Sequence, residues 1–420
     1  MDIEAHSQEP IINTVEVVNG AQFRDAVLSR RVQPLLTATT LYELYERLDP
    51  VAHSLSVLGD VRYRLDTAES STNVVPRAVK TQVILSNTQP VSPTVFQFVS
   101  NNDIAGLSGQ QIFHNRLGFG EQVELAGRVY SNPAALGSGS VTTSVPMPLG
   151  ASKLAVQGFF FNQDRPWGGY ALASHGLSAK ITSNLSKSLT ADLGIEAVSR
   201  HVHSMGDAAS DTVRAAAGAN SVKVSALAGL QHIGSNYKLN AVTEFAGKPG
   251  DSAYTKIFGS FNVFEKLCKS GALVADFGVS AGFMKGEARI FDNFVLGGVK
   301  DVYGVALNSM GPKDGQDFIG GQAFYQGRGT LTAKVPGKPF SPLRLTALLS
   351  TGSLQSNCGK TFQDNLNNLA KSSPVVSAAV GLTYNTDAAT CEMLYVVPLK
   401  THHGDVTREG FHLGVQLTFA

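Results

Sequence analysis

Phe411-His-Leu-Gly-Val-Gln-Leu-Thr-Phe419 alternates without a break. Phe411, Leu413, Val415, Leu417 and Phe419 are apolar, while His412, Gly414, Gln416 and Thr418 are small or polar. A β-strand turns successive side chains to opposite faces, so this segment has one apolar and one polar face. Residues 273–283 repeat the pattern, with Leu273, Ala275, Phe277, Val279, Ala281 and Phe283 against Asp276, Gly278, Ser280 and Gly282. Residues 189–197, 237–245 and 376–384 do the same. Extended over the chain from Pro93, the reading gives sixteen strands. They lie at 94–102, 105–114, 121–131, 138–147, 152–162, 171–182, 188–199, 221–232, 237–247, 254–265, 272–284, 321–335, 343–352, 375–385, 389–399 and 409–420. A tilted strand needs roughly 9–11 residues to cross a bilayer, and these windows are long enough. Most connections are short; 200–220, 353–374 and 285–320 are long.

Composition points the same way. Charged residues are only 16% of the 420, against about 25% in an ordinary soluble domain. No run of 18 apolar residues occurs, so a membrane-spanning helix is not expected. Low charge, 42 glycines and alternation rather than apolar runs fit a transmembrane β-barrel, which leaves no open edge in lipid. Aromatics near strand ends, as at Phe411 and Phe419, suit the interfacial girdles of such a barrel. On this reading Glu196, Lys238, Glu244, Asp276, Arg328 and Arg344 line the lumen.

Residues 1–10 read as a disordered tail, and residues 11–88 as a small mixed domain. Ile11–Val18 suits a strand, and Asn19-Gly20 a turn. A helix is expected over 22–36, with Phe23, Ala26 and Val27 on one face. Thr40 and Glu43 have the spacing of a capping box. Leu41, Leu44, Tyr45 and Leu48 then form an apolar stripe, and Pro50 either kinks that helix or ends it. Strands are expected at 61–65 and 81–85, giving the order β-α-α-β-β.

Several chemistries are disfavoured. The net charge of +1 lacks the basic excess of a nucleic-acid binder. No phosphate loop is present, and no cofactor is implied. Cys268, Cys358 and Cys391 are odd in number and lack metal-ligand spacing, which favours free thiols. His201, His203, His402 and His403 read as solvated loop residues rather than a metal site. No nucleophile–base constellation is recognisable, so an enzyme is not expected. The acidic start MDIEAHSQEPII carries no secretory signal pattern, which in a membrane barrel points to an organelle.

Three segments carry a family resemblance. The N-terminal β-α-α-β-β unit resembles a polypeptide-transport-associated (POTRA) domain. The segment 294–321 resembles the inserted loop of the outer-membrane barrel-assembly superfamily, with Leu296-Gly297-Gly298, Val302-Tyr303-Gly304-Val305, Gly311-Pro312 and Gly320-Gly321. The last strand, with Gly410-Phe411, Gly414 and a terminal aromatic, resembles that family's closing strand. One departure is plain: Tyr303 and Val305 stand where the motif has arginine and phenylalanine. Tyrosine has no forked, charged donors, so the anchoring contact of the loop must differ. Lys300 or Lys313 is a candidate replacement for the charge.

The element order is similar to that of barrel subunits of the mitochondrial sorting and assembly machinery. That resemblance implies a sixteen-stranded antiparallel transmembrane β-barrel over 94–420, its inserted loop at 285–320, and one N-terminal domain in the intermembrane space. It implies an insertase of the mitochondrial outer membrane, whose partners are β-barrel precursors, peripheral subunits and the bilayer. A lateral gate would lie between the last strand and Val95, Phe96, Gln97, Phe98 and Val99 of the first. Pro90 and Pro93 precede that strand and limit its pairing, because proline cannot donate to a ladder. His412-x-Gly414-x-x-Leu417-x-Phe419 matches the sorting signal that mitochondrial barrel proteins carry in their final strand. The alternatives are a passive outer-membrane pore, a plastid outer-envelope relative of the same superfamily and a soluble all-β binding protein, the last disfavoured by the low charge.

Overall fold

The computed structural model describes residues 10–67, 77–86, 90–131, 135–148, 150–217, 220–299, 301–337, 340–356, 367–369 and 371–419. The disordered tail expected at 1–10 lies outside them, apart from Pro10, which bridges to Thr40. Lys300 and Cys358 also lie outside.

The first elements are β1 (Ile11–Val18), α1 (Asp25–Leu36), α2 (Leu41–Leu55), β2 (Val61–Thr67) and β3 (Arg77–Leu85). They form a three-stranded sheet in the order β1-β3-β2, with β3 parallel to β1 and antiparallel to β2. One sheet face presents Ile11, Val79, Val83 and Leu85 to Leu28, Val32 and Leu35 of α1 and Leu44, Val51 and Leu55 of α2. Burying such side chains contributes about 1.5–3 kcal/mol each, which holds the helices down. Ala26 and Tyr45, assigned above to packed faces, are instead exposed. The buried spacing in α1 starts at Leu28, and in α2 it runs on past Pro50 to Val51 and Leu55 in one helix. The capping box is modified too. Thr40 Oγ1 accepts from the Glu43 amide at 3.2 Å, but Glu43 Oε2 accepts from the amide of Thr39, one residue earlier. That amide bond is the main reason the Glu43 carboxyl is held below its ordinary range.

The barrel strands are β4 (Val95–Ser100), β5 (Ala105–His114), β6 (Gln122–Ser131), β7 (Leu136–Pro146), β8 (Ser152–Arg165), β9 (Tyr170–Asn184), β10 (Leu189–Met205) and β11 (Ser221–Ile233). They continue with β12 (Tyr237–Gly247), β13 (Ala253–Lys266) and β14 (Leu273–Glu287). After a two-strand hairpin in the inserted loop, β15 (Lys313–Asp314) and β16 (Asp317–Phe318), come β17 (Ala323–Lys334), β18 (Leu343–Gln355), β19 (Val375–Asn385), β20 (Ala389–Lys400) and β21 (Gly410–Phe419). The sixteen wall strands close in one ring, β4 beside β21. Every wall pair is antiparallel, as in the β20–β21, β21–β4 and β4–β5 ladders. The expected strand count therefore holds, and 105–114, 237–247 and 375–385 match end to end. The loop is shorter than 285–320 at its start, because β14 runs to Glu287. The 200–220 connection keeps β10 going to Met205 and then forms α3 (Asp211–Ala217). No helix among the described residues is long and apolar enough to cross a membrane.

Alternation sorts the wall as the sequence reading requires. Val129, Leu177, Leu193, Ile195 and Phe411 are about two-thirds exposed and point outward. Charge is turned to the lumen and paired there: Lys223 Nζ lies 3.0 Å from Glu196 Oε1 and 2.6 Å from Glu244 Oε1. Aromatics mark both rims, with Tyr237 against Phe261 at one and Tyr395 edge-on to Phe411, centroids 5.2 Å apart, at the other.

The N-terminal domain docks on the turns at one end of the barrel, called here the inner end. Arg24 reaches the Leu117 carbonyl at 2.9 Å and stacks over Phe119. His53 Nε2 lies 2.6 Å from the Asn184 carbonyl. Arg31, buried, donates to Ser54 and to the carbonyls of Met147 and Gly150 in the β7–β8 turn. Arg31→Ala should strand those two carbonyls, a cost of about 1–3 kcal/mol. We expect the 86–94 connection to become sensitive to limited proteolysis in this variant. Lysine at 31 should rescue poorly, since one ammonium does not match a fork serving several acceptors. Unchanged proteolysis in Arg31→Ala would mean the docking rests on the Arg24 and His53 contacts instead.

Candidate functional site

Both ladders of β4 are short, six pairs with β5 and five with β21, but a turn at Asn101 joins β4 to β5 whereas no turn joins β4 to β21. Between β4 and β21 the described ladder holds five residue pairs, Val415–Ser100, Gln416–Val99, Leu417–Phe98, Thr418–Gln97 and Phe419–Phe96. The β9–β10 ladder holds fifteen. Backbone bonds are the main cohesion of a sheet, so this seam is the easiest line along which to part the wall. β4 is short at its start because Pro93 cannot donate and at its end because the chain turns at Asn101. Val95, included above among the gate residues, pairs with Gln110 of β5 and has no β21 partner among the described residues.

The four signal-like residues of β21 divide between two tasks. Leu417 and Phe419 lie opposite β4. His412 and Gly414 lie beyond its end and pair only with β20, Gly414 opposite Glu392. Glu392 is luminal and lies across Gly414: a methyl group on that glycine would sit 2.8 Å from Glu392 Cγ. His412, 3% exposed, places Nε2 2.9 Å from Glu392 Oε1. The polar residue and the glycine of the motif thus make the seat for one carboxylate.

The inserted loop folds back into the lumen and uses that seat. Leu296, Val302, Val305 and Met310 pack on Phe324, Leu354 and Val375 of the wall. Tyr303 packs among Leu348, Ala379, Leu394 and Val396. Its amide donates to Ser350 Oγ at 3.1 Å. Its hydroxyl points to the two Glu392 oxygens at 3.4 and 3.5 Å, and its ring meets His412 edge-on at 5.6 Å. At such distances the hydroxyl bond is weak, and buried ring area supplies most of the hold. At the position of the motif arginine the structure places a neutral donor and an aromatic ring. Lys313 sits instead over the Phe318 ring in the loop hairpin, 4.2 Å from its centroid.

Two glycines let the loop come this close. Gly304 has φ +76°, and a methyl group there would lie 2.9 Å from Ser377 Oγ. Gly298 has φ +97°, and a methyl group would lie 2.7 Å from Asp103 Oδ2. Left-handed backbone pressed on a wall is where glycine is required. Gly297 continues the same turn at φ +121°.

At its entry the loop is fixed by buried charge. Asp292 and Arg200 are both about 5% exposed and lie 2.5 Å apart. Arg200 also donates to Ser221 Oγ at 2.9 Å and Ser252 Oγ at 3.2 Å, while Tyr254 donates to Asp292 at 3.2 Å.

Sequence reasoning located both seam strands and the loop but missed Glu392, Asn102, Asp103 and Arg408. Glu392 carries no signal beyond being one luminal charge among several. The other three sit in turns, where alternation is silent. The histidines converge on no metal set among the described residues. His203 bonds Asn162 at 2.7 Å, and His402 faces Asp405.

Comparison with known proteins adds a family. The Omp85 superfamily domain model matches residues 115–419. A SAM50-like protein of Schizosaccharomyces pombe is 30% identical over 185 residues, 42% of this chain and 38% of that protein. The sorting assembly machinery 50 kDa subunit of Saccharomyces cerevisiae is 29% identical over 31% of this chain and 27% of its own length. These two matches span less than half of the relatives' length. The sorting and assembly machinery component 50 homolog B of Xenopus laevis is 23% identical over 100% of this chain and 94% of its own. Among solved structures, BamA from Haemophilus ducreyi lacking POTRA domains 1–3 superposes with a TM-score of 0.74 at 15% identity, covering 97% of this chain and 85% of that one. CdiB from Acinetobacter baumannii gives 0.66 at 12% identity, over 98% and 74%.

Proposed function

The chain belongs to the Omp85 superfamily, and from that premise we propose that it folds and inserts β-barrel precursors into the mitochondrial outer membrane through the β4–β21 seam. The observation that carries this reading is the seam itself, five pairs long in a wall whose other ladders are longer. Parting it exposes the unpaired backbone of β4 as a template. An arriving strand gains main-chain hydrogen bonds there, and its alternate side chains set the register. No covalent bond changes, so the activity is not enzymatic. The stability of the finished barrel supplies the driving force, and no cofactor enters.

The names of the relatives support the mitochondrial assignment. On this reading the N-terminal sheet and helices are a POTRA domain, lying in the intermembrane space with the inner turns. Peripheral subunits of the assembly machinery are the expected companions. A passive pore is the lesser reading, because the inserted loop packs across the lumen against β17, β18, β19 and β20.

Single cysteines at 96, 97, 98 or 99 test the gate in isolated mitochondria against cysteines in the last strand of an arriving precursor. We expect disulfides whose yield alternates with residue register. Normal precursor insertion with no crosslink at any of the four positions would sink the gate and leave a pore or scaffold.

A further inference from the structure

Toward the outer end, opposite the N-terminal domain, the seam has no ladder: the last described pair is Ser100–Val415, and residues 410–414 run on beside the β4–β5 turn. Side chains close that gap. Arg408 Nη1 donates at 2.9 Å both to Asp103 Oδ1 and to the Asn102 carbonyl. Asn102 exchanges two longer bonds with β21, donating to the Phe411 carbonyl and accepting from the Leu413 amide, each at 3.4 Å. Asp103 is 3% exposed, although it sits in a turn, where carboxylates are ordinarily solvated.

The inserted loop holds both shores of this gap. On the first-strand side the Val299 amide donates to Asp103 Oδ2 at 3.0 Å. On the last-strand side the Arg408 amide donates to the Gly304 carbonyl at 2.8 Å, and the Ala306 amide donates to the Val406 carbonyl at 2.8 Å. Val305 bridges Thr407 between them. Asp103 therefore receives one bond across the seam and one from the loop, on different oxygens. A small cavity lined by Asn102, Asp103, Tyr303, Arg408 and His412 lies at this junction.

The geometry points to Asn102, Asp103 and Arg408 as a latch that shuts the outer half of the seam, with Val299, Gly304, Val305 and Ala306 of the loop as its keeper. They are positioning residues for strand exchange. The outer half parts only when Arg408 leaves Asp103, and the loop then bears on one shore alone. Opening of the seam and release of the loop become one event. The role rests on the gate reading above, but the latch itself is a property of the isolated barrel and is tested there.

Two cysteine pairs in a background with the native cysteines replaced read the two halves of the seam. Ser100→Cys with Val415→Cys reports the outer half, and Phe96→Cys with Phe419→Cys the inner half; directly opposed strand residues lie within disulfide reach. The purified barrel is oxidised briefly in lipid vesicles, and only protein that keeps its folded band on gels is counted. Arg408→Ala should lower the outer yield by about five-fold while the inner pair changes little, and Arg408→Lys should restore most of the loss. Asp103→Asn keeps an acceptor for Val299 but loses the ion pair, and it should give the same outer loss. Equal outer yields in wild type, Arg408→Ala and Asp103→Asn would overturn the latch. Equal losses at both pairs would overturn it too, as general loosening of the barrel. The precursor crosslink to residues 96–99 is scored separately. Its absence alongside a normal outer-pair response removes the gate and keeps the latch; its presence without that response does the reverse.

Discussion

Tyr303→Ala should release the inserted loop from the barrel wall, and Tyr303→Phe should not. The contrast follows from where the hold comes from. The ring is 5% exposed among four apolar wall side chains, while the hydroxyl is 3.4 Å or more from Glu392. Removing a buried ring costs about 3–5 kcal/mol, including the cavity it leaves. Removing one long, neutral-donor hydrogen bond costs about 0.5–1.5 kcal/mol. Trypsin cleavage at Arg289 or Lys313 in the folded barrel measures the release, and precursor insertion measures its consequence. We expect rapid cleavage and poor insertion for alanine, with phenylalanine close to wild type. If phenylalanine fails as badly as alanine, the hydroxyl–Glu392 contact is the anchor and the packing argument is wrong.

Asp292→Ala should cost more than any other single change at the loop entry. It leaves Arg200 buried with Asp251 as its remaining acidic neighbour, 3.6 Å away. Breaking a buried pair from one side costs about 3–5 kcal/mol, because the surviving charge stays desolvated. The temperature at which the folded band is lost on gels should fall clearly. Replacing both partners, Arg200→Met with Asp292→Leu, should recover most of that loss, since a well-packed apolar pair avoids the desolvation cost altogether. A double variant as weak as Asp292→Ala would show that the hydrogen bonds Arg200 donates to Ser221 and Ser252, and the one Tyr254 donates to Asp292, organise this corner rather than the ion pair.

How far the residues alone reach can be judged from these same sites. The wall was legible because its two environments differ sharply, and lipid on one face enforces a period of two over ten or more residues. The chain stayed extended past 199 to Met205 where that alternation fades, because β10 leaves the apolar band there with His201, His203 and Ser204. The α3 turn of helix, DTVRAAA, is too short to show a helical period. At the loop, the arginine motif directed attention to replacement cations. The structure solved the same problem with shape, placing a tyrosine edge-on to His412 and opposite Gly414's carboxylate neighbour. The clasp of Asp103 and Arg408 joins two turns 305 positions apart, and neither turn carries a pattern that names the other.

That separation bears on how the barrel itself is made. Phe96 and Phe419 are partners across the seam yet 323 positions apart, whereas every other pair of neighbouring staves is joined by a far shorter connection. Local hairpins close cheaply, and a contact between chain ends pays the largest loop-closure entropy for the fewest bonds. The seam is therefore the last joint to form during biogenesis and the first to be lost on unfolding. A newborn copy passes through an open-edged sheet in which β4 is paired with β5 but not yet with β21. Under the proposed insertion mechanism, a working cycle at the seam is the final step of the barrel's own folding, run backwards and then forwards again.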